Sequence, residues 1–240
     1  MTIRGGFTNY GQDLGILMLD TRFPRLRGDI GDARTFPFPV RYKTVRGASP
    51  ARVVLERDPA LLEPFLAAAR ELEAEGVLAV TTSCGFLAIF QRELAAALGV
   101  PVFSSSLLQV PFLYALFGGR GKAGILTVRA ASLGEPHFRA CGIRGIPLAL
   151  GGMEESPEFS RVFLGWAGDG RDAPLDPARA ERELADAARN LVEREPEIRF
   201  LVLECTNMPP FRRAIQEACG RPVFDIVTLA CYVQSGLYQP

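Results

Sequence analysis

The chain has 240 residues, enough for one large domain or for two small domains that share a cleft. Its 27 Lys and Arg residues balance its 27 Asp and Glu residues, so no basic excess indicates a nucleic-acid partner or an anionic membrane. The apolar runs are too short to span a bilayer, and residues 1–10 lack the apolar core of a secretory signal.

The cysteine and histidine content limits the kinds of structural and catalytic site that the chain can form. Five cysteines, an odd number without short paired spacings, argue against a disulfide scaffold and against a zinc site. The single histidine, His137, leaves little for a metal centre or a His-based catalytic triad. We therefore predict free thiols in a reducing cytosol, with neither metal nor cofactor.

Short apolar runs alternate with amphipathic helical patterns along most of the chain. The predicted strands are Gly15–Leu19, Val77–Ser83, Val102–Ser104, Ala123–Val128, Pro147–Leu150, Ile198–Glu204 and Val223–Phe224. The predicted helices are Pro59–Glu75, Phe86–Leu98, Leu107–Phe117, Pro177–Arg194, Pro210–Cys219 and Val227–Leu237. Continuous apolar strands are typical of parallel sheets covered by helices, so the pattern predicts a doubly wound α/β architecture.

Two stretches interrupt this alternation. Residues 22–51 are rich in Pro, Gly and Arg and predict a long functional loop, with a short extended piece at Val40–Val45. Residues 151–175 combine glycines and acidic residues with the aromatic residues Phe159, Phe163 and Trp166. Long loops in compact α/β proteins are commonly lids or binding loops, and the sequence leaves open whether residues 151–175 close over a site.

An internal repeat is the most informative feature of the sequence. A shift of 121 residues superimposes Cys84 on Cys205 and gives eight identities in an ungapped window of twenty residues. The same shift aligns the Gly-x-Pro-Val-Phe motifs at residues 99–103 and 220–224. A weaker match, at a shift of 109, sets the start of the first predicted strand against Gly124–Leu126. We infer two related halves, each built of strand, cysteine, helix and strand.

The repeated cysteines are the predicted catalytic pair. Cys84 and Cys205 each follow a strand and precede a helix, where ligands of open α/β sheets bind. The helix N-terminus is expected to lower the thiol pKa from about 8.5 towards neutrality. Across a pseudo-two-fold axis, one thiolate can remove a proton from a substrate carbon while the opposite thiol delivers one to the other face.

The other cysteines lack this repeated placement. A free cysteine is often only a small apolar core residue. We assign Cys141, Cys219 and Cys231 to packing, and we treat His137 as structural.

These motifs resemble the aspartate/glutamate racemase superfamily, which also includes hydantoin racemases, maleate cis–trans isomerases and arylmalonate decarboxylases. Residues 204–209, Glu-Cys-Thr-Asn-Met-Pro, are similar to the Gly-Cys-Thr-His-Tyr-Pro motif of glutamate racemases. Residues 81–86 occupy the place of their first cysteine motif, and Leu19–Thr21 falls where they carry an Asp-Ser pair. Thr127 matches a strand-ending Thr near the substrate.

The resemblance and the repeat together predict two pseudo-symmetric Rossmann-like halves with parallel sheets and the active site in the cleft between them. The first half would hold residues 1–104 and 208–240, and the second residues 105–207; the return of the final segment is what the resemblance implies. The expected substrate-binding residues are Asp20, Thr21, Ser83, Gly85, Phe86, Thr127, Thr206 and Asn207.

Departures from the family pattern shape the functional prediction. Asn207 replaces an assisting His, and Gly85 with Phe86 replaces an Asn-Thr pair, which favours a less polar or cyclic substrate over glutamate. Retention of both cysteines argues against decarboxylase chemistry with one thiol.

We predict a cofactor-independent cytoplasmic racemase or epimerase that inverts a carbon next to a carboxyl or carbonyl group of a small amino acid or hydantoin. A maleate-type cis–trans isomerase with a covalent cysteine adduct and a catalytically silent small-ligand-binding protein stay open as alternatives. The predicted partner is a small-molecule substrate, and a homodimer stays open.

Overall fold

Two four-stranded parallel sheets organise the computed structural model, which describes residues 5–164 and 174–237. The strands are β1 (Leu14–Leu19), β2 (Val40–Val45), β3 (Ala79–Thr82), β4 (Val102–Phe103), β5 (Lys122–Thr127), β6 (Leu148–Gly152), β7 (Ile198–Leu203) and β8 (Val223–Phe224). Their spatial orders are β2-β1-β3-β4 and β6-β5-β7-β8. The predicted α/β fold with two similar halves is confirmed.

Helices connect the strands. They are α1 (Leu62–Ala74), α2 (Gln91–Ala97), α3 (Gln109–Leu116), α4 (Glu135–Ala140), α5 (Phe159–Phe163), α6 (Pro177–Arg194), α7 (Arg212–Cys219) and α8 (Ile226–Ser235). Helix α6 begins as its sequence predicts, with Pro177 in the first turn and the Asp176 carboxylate accepting the Arg179 N–H at 3.1 Å. Its buried face repeats every three or four residues, at Ala180, Leu184, Ala188 and Leu191.

The strand registers confirm the internal repeat. In the first sheet Val80 pairs with Gly15 on one side and with Val102 on the other. In the second sheet Leu201 lies between Gly124 and Val223 in the same way. Shifts of 109 and 121 residues convert one set of pairs into the other. The two halves therefore share a register as well as an order of elements, which places the segments after β3 and β7 in equivalent positions.

The interrupted stretches contain more regular structure than the sequence predicted. Val40–Val45 is a full edge strand, because Arg41 and Lys43 remain at the surface and form ion pairs with Glu75 and Glu71 of the α1 region. Ala51–Glu56 forms a π-helix, a form that recurs at functional sites. Within residues 151–175, α5 packs two of the three aromatic residues, whereas Trp166 lies outside the described residues.

The chain returns to the first sheet at α8. Strand β8 pairs with β7, and α7 packs against α6, so both stay with the second sheet. Ile226, Leu229 and Ala230 of α8 join a core cluster with Leu14 and Ile16 of β1. The division of domains at residue 208 stays a prediction, while the sheet pairing puts the return near residue 226.

In the part of the chain that the structure describes, helices are too short or too polar to traverse a lipid bilayer. The cytosolic location and the homodimer stay predictions.

Candidate active site

The first cysteine lies in the turn that follows β3. Ser83 anchors this turn, since its hydroxyl oxygen accepts the Leu19 N–H of β1 at 2.9 Å. Cys84 has an extended backbone and precedes a 3-10 helix, Gly85–Phe90, which runs directly into α2. The parallel sheet therefore delivers Cys84 to its C-terminal edge, as the sequence predicts.

The second cysteine occupies the equivalent turn after β7. Cys205 is almost fully buried, whereas Cys84 keeps part of its surface exposed. The two turns touch, because the Thr206 hydroxyl donates a 2.6 Å hydrogen bond to the Ser83 carbonyl oxygen. This bond links the halves at the point where the two cysteines approach one substrate-sized space.

That space is a pocket of about 390 Å³, counted with its mouth, and both cysteines line it. Its walls are mainly apolar and come from both halves of the chain. The other lining residues are Leu19, Thr21, Phe23, Arg25, Pro50, Val54, Ser83, Gly85, Phe86, Val128, Phe163, Glu204, Thr206 and Asn207. A concave, mostly apolar site with a few convergent polar groups is the usual form of a small-molecule site.

The thiols differ from the prediction in their acidity. Loss of hydration on burial raises the pKa of Cys84 to about 12, and the nearby Glu204 carboxylate adds to this rise. The N–H groups of Phe86 and Leu87 oppose the rise without overcoming it. Burial and Glu204 also raise the pKa of Cys205 well above its usual value. The prediction that the helix N-terminus brings these thiols towards neutrality is wrong, because loss of hydration in the pocket outweighs a few N–H dipoles.

A polar network connects Cys205 to the loop of residues 22–51. The Cys205 thiol donates to Asn207 Oδ1 at 3.6 Å, and Asn207 Nδ2 donates to Asp29 Oδ2 at 2.7 Å. Arg25 pairs with Asp29 Oδ1 at 2.7 Å and donates to the Thr21 hydroxyl at 3.0 Å. Asn207 thus orients the Cys205 thiol and is itself held by a buried ion pair.

Glu204 is a site residue that sequence reasoning missed. Its side chain is fully buried, and its Oε2 accepts a 2.6 Å hydrogen bond from the Thr127 hydroxyl. Burial raises the pKa of this carboxyl to about 8, with the Thr127 bond acting in the opposite direction. Glu204 is therefore mostly protonated at neutral pH, beside two thiols.

The structure gathers most of the predicted binding residues. Thr21, Ser83, Gly85, Phe86, Thr206 and Asn207 line the pocket with the two cysteines. Asp20 lies outside it, in a surface hollow with Arg22 and Arg46, and accepts the Gly47 N–H at 3.4 Å. Thr127 is buried behind Glu204 and reaches the pocket only through that carboxyl. Neither residue therefore lines the pocket that holds the thiols.

The remaining cysteines lie elsewhere. Cys141 and Cys219 are buried at the ends of α4 and α7, and Cys231 is partly exposed on α8. His137 is buried, and its ring meets the Phe86 ring edge-on with centroids 5.4 Å apart. Phe86 separates this imidazole from the pocket, which agrees with a structural role.

Four further pocket residues that the sequence analysis missed come from the two interrupted stretches: Phe23, Arg25, Pro50 and Phe163. Phe23 and Phe163 meet edge-on with ring centroids 5.0 Å apart, and the Arg25 guanidinium carbon lies 4.4 Å from the Phe23 centroid. The Arg and Phe residues of these stretches were the only sequence feature that could have indicated a binding role. Their contacts across the fold could not be deduced from it.

The chain resembles known proteins in sequence and in fold. The family described as Asp/Glu/Hydantoin racemase matches residues 56–232. A dimethylsulfoniopropionate lyase of Durusdinium sp. clade D is 30% identical over 230 residues, which cover 93% of this chain and 74% of that protein.

Two solved structures share the fold. An allantoin racemase from Klebsiella pneumoniae superimposes with a TM-score of 0.64 at 13% identity, covering 93% of this chain and 86% of that one. An unliganded arylmalonate decarboxylase superimposes with a TM-score of 0.58 at 16% identity, covering 93% and 91%.

Proposed function

The chain belongs to the Asp/Glu/hydantoin racemase family, and from this premise we propose that it is a cofactor-independent lyase that removes a proton from the carbon next to a carboxylate and expels a neutral sulfide from a sulfonium-bearing next carbon. The observation that carries the proposal is the placement of two cysteines, one from each half, on a single small pocket. Dimethylsulfoniopropionate is the proposed substrate, on the strength of the similarity to the lyase of Durusdinium.

The chemistry needs a base, a leaving group and a closed site. A thiolate, from Cys84 or Cys205, takes the proton from the carbon next to the carboxylate. The electrons of that C–H bond form the carbon–carbon double bond, and the C–S bond breaks with its electrons on sulfur. Dimethyl sulfide and acrylate leave, and the new thiol returns its proton to solvent. Charge and atoms balance without a cofactor.

The pocket walls suit the cationic end of such a substrate. Phe23, Phe86 and Phe163 line the pocket, and aromatic faces attract cations by about 0.5–2 kcal/mol. The aliphatic part of the wall, from Leu19, Val54 and Val128, would exclude water from a dimethylsulfonium group. A neutral leaving group departs readily into this apolar space.

Arg25 is the proposed partner of the substrate carboxylate. It is the guanidinium among the pocket residues, and its side chain is only 16% exposed. One ion pair with Asp29 and one bond to Thr21 leave further N–H donors of the five on the group. A carboxylate held there would become more electron-withdrawing, and its neighbouring C–H bond would become more acidic.

Racemisation or epimerisation is the second candidate function. The specific observation in its favour is that the two cysteines come from opposite halves, which is the arrangement needed to exchange a proton on both faces of one carbon. Both candidates begin with the same proton abstraction and differ in whether a leaving group is present.

One experiment separates these functions. The protein is incubated in heavy water with dimethylsulfoniopropionate and, separately, with pooled amino acids and hydantoins, and NMR follows acrylate, dimethyl sulfide and α-proton exchange. We expect acrylate formation by the wild type and its loss in whichever of Cys84→Ser and Cys205→Ser removes the base, with Cys231→Ser as the matched thiol control.

Each other outcome contradicts the lyase proposal in a defined way. Exchange in the pool without acrylate would replace it with the racemase. A mass increase equal to an added alkene substrate would indicate the cis–trans isomerase. Ligand-dependent stabilisation that survives Cys84→Ser, with neither exchange nor acrylate, would indicate the silent binding protein.

A further inference from the structure

Glu204 stands beside both thiols, yet no step of the proposed elimination uses it. Its side chain is fully buried in the pocket wall, and Thr127 satisfies Oε2. Its Oε1 has no hydrogen-bond partner among the described residues. An unpaired buried oxygen is costly, and an ionised one costs far more, so this carboxyl needs a reason to be there.

The first cysteine turn is shaped to receive this carboxyl. A Cβ atom built on Gly85 would lie 2.3 Å from Glu204 Oε1 and 2.3 Å from the Glu204 carbonyl oxygen. Only a residue without a side chain fits, and the space is filled by the carboxyl from the other half. Glu204 is thus bonded through the chain to Cys205 and packed directly against the residue that follows Cys84.

The ionisable groups around Glu204 are almost all acidic, so they become negatively charged when they ionise. An ionised Glu204 raises the pKa of Cys84, Cys205 and Cys141. Asp29 acts on Cys205 in the same direction, and Arg25 opposes it at Cys84. Within residues 5–164 and 174–237, Glu204 forms no ion pair of its own. Groups of like charge in a dry site cannot all ionise, as in a pair of adjacent carboxylates.

We propose that Glu204 works as a neutral carboxylic acid, and that Glu204 and the two thiols together carry at most one negative charge, so that a thiolate forms only while Glu204 keeps its proton. Glu204 is then a positioning residue that acts through the thiols. The effect of Glu204 on catalysis rests on the proposed function. The effect of Glu204 on thiol ionisation does not depend on that function. Ionisation of Glu204 in alkaline solution would therefore take the place of ionisation of a thiol.

Thiol alkylation tests the inference without a substrate. Iodoacetamide is applied between pH 6 and 10, and mass spectrometry follows the modification of Cys84 in the wild type, in Glu204→Gln and in the surface control Glu193→Gln. In the wild type the rate should level off above about pH 8, because proton loss from Glu204 replaces proton loss from the thiol. In Glu204→Gln the rate should keep rising, and exceed the wild-type rate about tenfold at pH 9 while matching it at pH 7.

A second variant keeps the test decisive if Glu204→Gln does not fold. Thr127→Val retains the carboxyl but removes the donor that favours its ionised form, so the levelling should move to higher pH. Parallel profiles for the wild type, Glu204→Gln and Thr127→Val up to pH 10 would overturn the inference. If the three pH profiles are parallel but the enzyme still turns over substrate with its thiols, the inference about Glu204 fails and the proposed function stands. If the profiles differ as expected but no substrate is turned over, the inference about Glu204 stands and the proposed function fails.

Discussion

The two cysteine turns have the same backbone plan and different surroundings. Ser83 and Glu204 occupy equivalent positions before the cysteines, and Gly85 and Thr206 occupy equivalent positions after them. Ser83 offers only a hydroxyl that accepts a β1 N–H, whereas Glu204 places a titratable group under the opposite turn. The repeated register fixes where the sulfurs lie, and the flanking residues decide what each sulfur can do.

The largest expected effect comes from removing either sulfur. We expect whichever of Cys84→Ser and Cys205→Ser removes the base to lower kcat/KM by about 10² to 10⁴, the usual contribution of a positioned acid or base. Equal losses would indicate that the turns work as a pair. A loss confined to one variant would show that the two turns share a backbone conformation but not a catalytic role. Steady-state kinetics measures kcat/KM of each variant, with Cys231→Ser as the control.

The next effect is a pH dependence of stability between about pH 4.3 and 8 that comes from Glu204 of the second turn and has no counterpart at Ser83 of the first. The pKa of Glu204 in the folded protein is about 8, above its unfolded value of about 4.3, so the folded state holds a proton that the unfolded state releases. The stability that this proton contributes is complete below pH 4.3 and is lost as pH rises to 8, by at most about 1.4 kcal/mol per pH unit.

Urea unfolding at pH 5 to 8 measures this slope. The free energy of unfolding of Glu204→Gln relative to the wild type should rise across that interval, because glutamine carries no proton to lose. A constant difference between the two proteins would contradict the assignment of a neutral buried carboxyl.

A smaller loss is expected from Gly85→Ala. The added Cβ would collide with the Glu204 backbone oxygen, which cannot rotate away, so the free energy of unfolding should fall by about 1–3 kcal/mol. Gly134→Ala is the matched control before a helix, since its Cβ would approach no atom closer than 4.0 Å. Equal thermal stability of the two variants would show that the halves fit together more loosely than described.

The smallest effect tests the polar anchor of the first turn. Ser83→Ala leaves the Leu19 N–H of β1 without its acceptor, and we expect it to lower the free energy of unfolding by about 1 kcal/mol. Ser235→Ala, on an exposed part of α8, should change it much less. Denaturant titration of both variants decides whether the Ser83 hydroxyl has this role.

The repeat made the fold and the position of the sulfurs predictable. Because Cys84 and Cys205 share their spacing to the Gly-x-Pro-Val-Phe motifs, the pattern predicted two similar halves with a cysteine after an equivalent strand in each, whereas strand order and register came only from the structure. Partners distant in sequence were not predictable in this way. Asn207 and Asp29, for example, are 178 residues apart, and the hydrogen bond between them depends on how loop 22–51 covers the pocket.

The prediction that the pKa values of the two thiols are lowered was wrong for a related reason. A helix start following Cys84 is visible in the sequence, whereas the depth of burial is a property of both halves together. Glu204 escaped notice because the final residue of a predicted buried strand is ordinarily a packing residue. Its polar character at such a position was the one local sign of a function.

The return of α8 to the first sheet has a consequence for how the protein is made. Gln234 of α8 donates a 2.8 Å hydrogen bond to Asp13 at the start of β1, and the two residues are 221 positions apart. Contacts of such long range form slowly, because a large loop must close before they contribute. During synthesis β1 leaves the ribosome early and keeps the apolar surface meant for α8 uncovered until residues 226–235 emerge. A nascent chain stalled just short of residue 226 should therefore depend on chaperones more than the finished chain does.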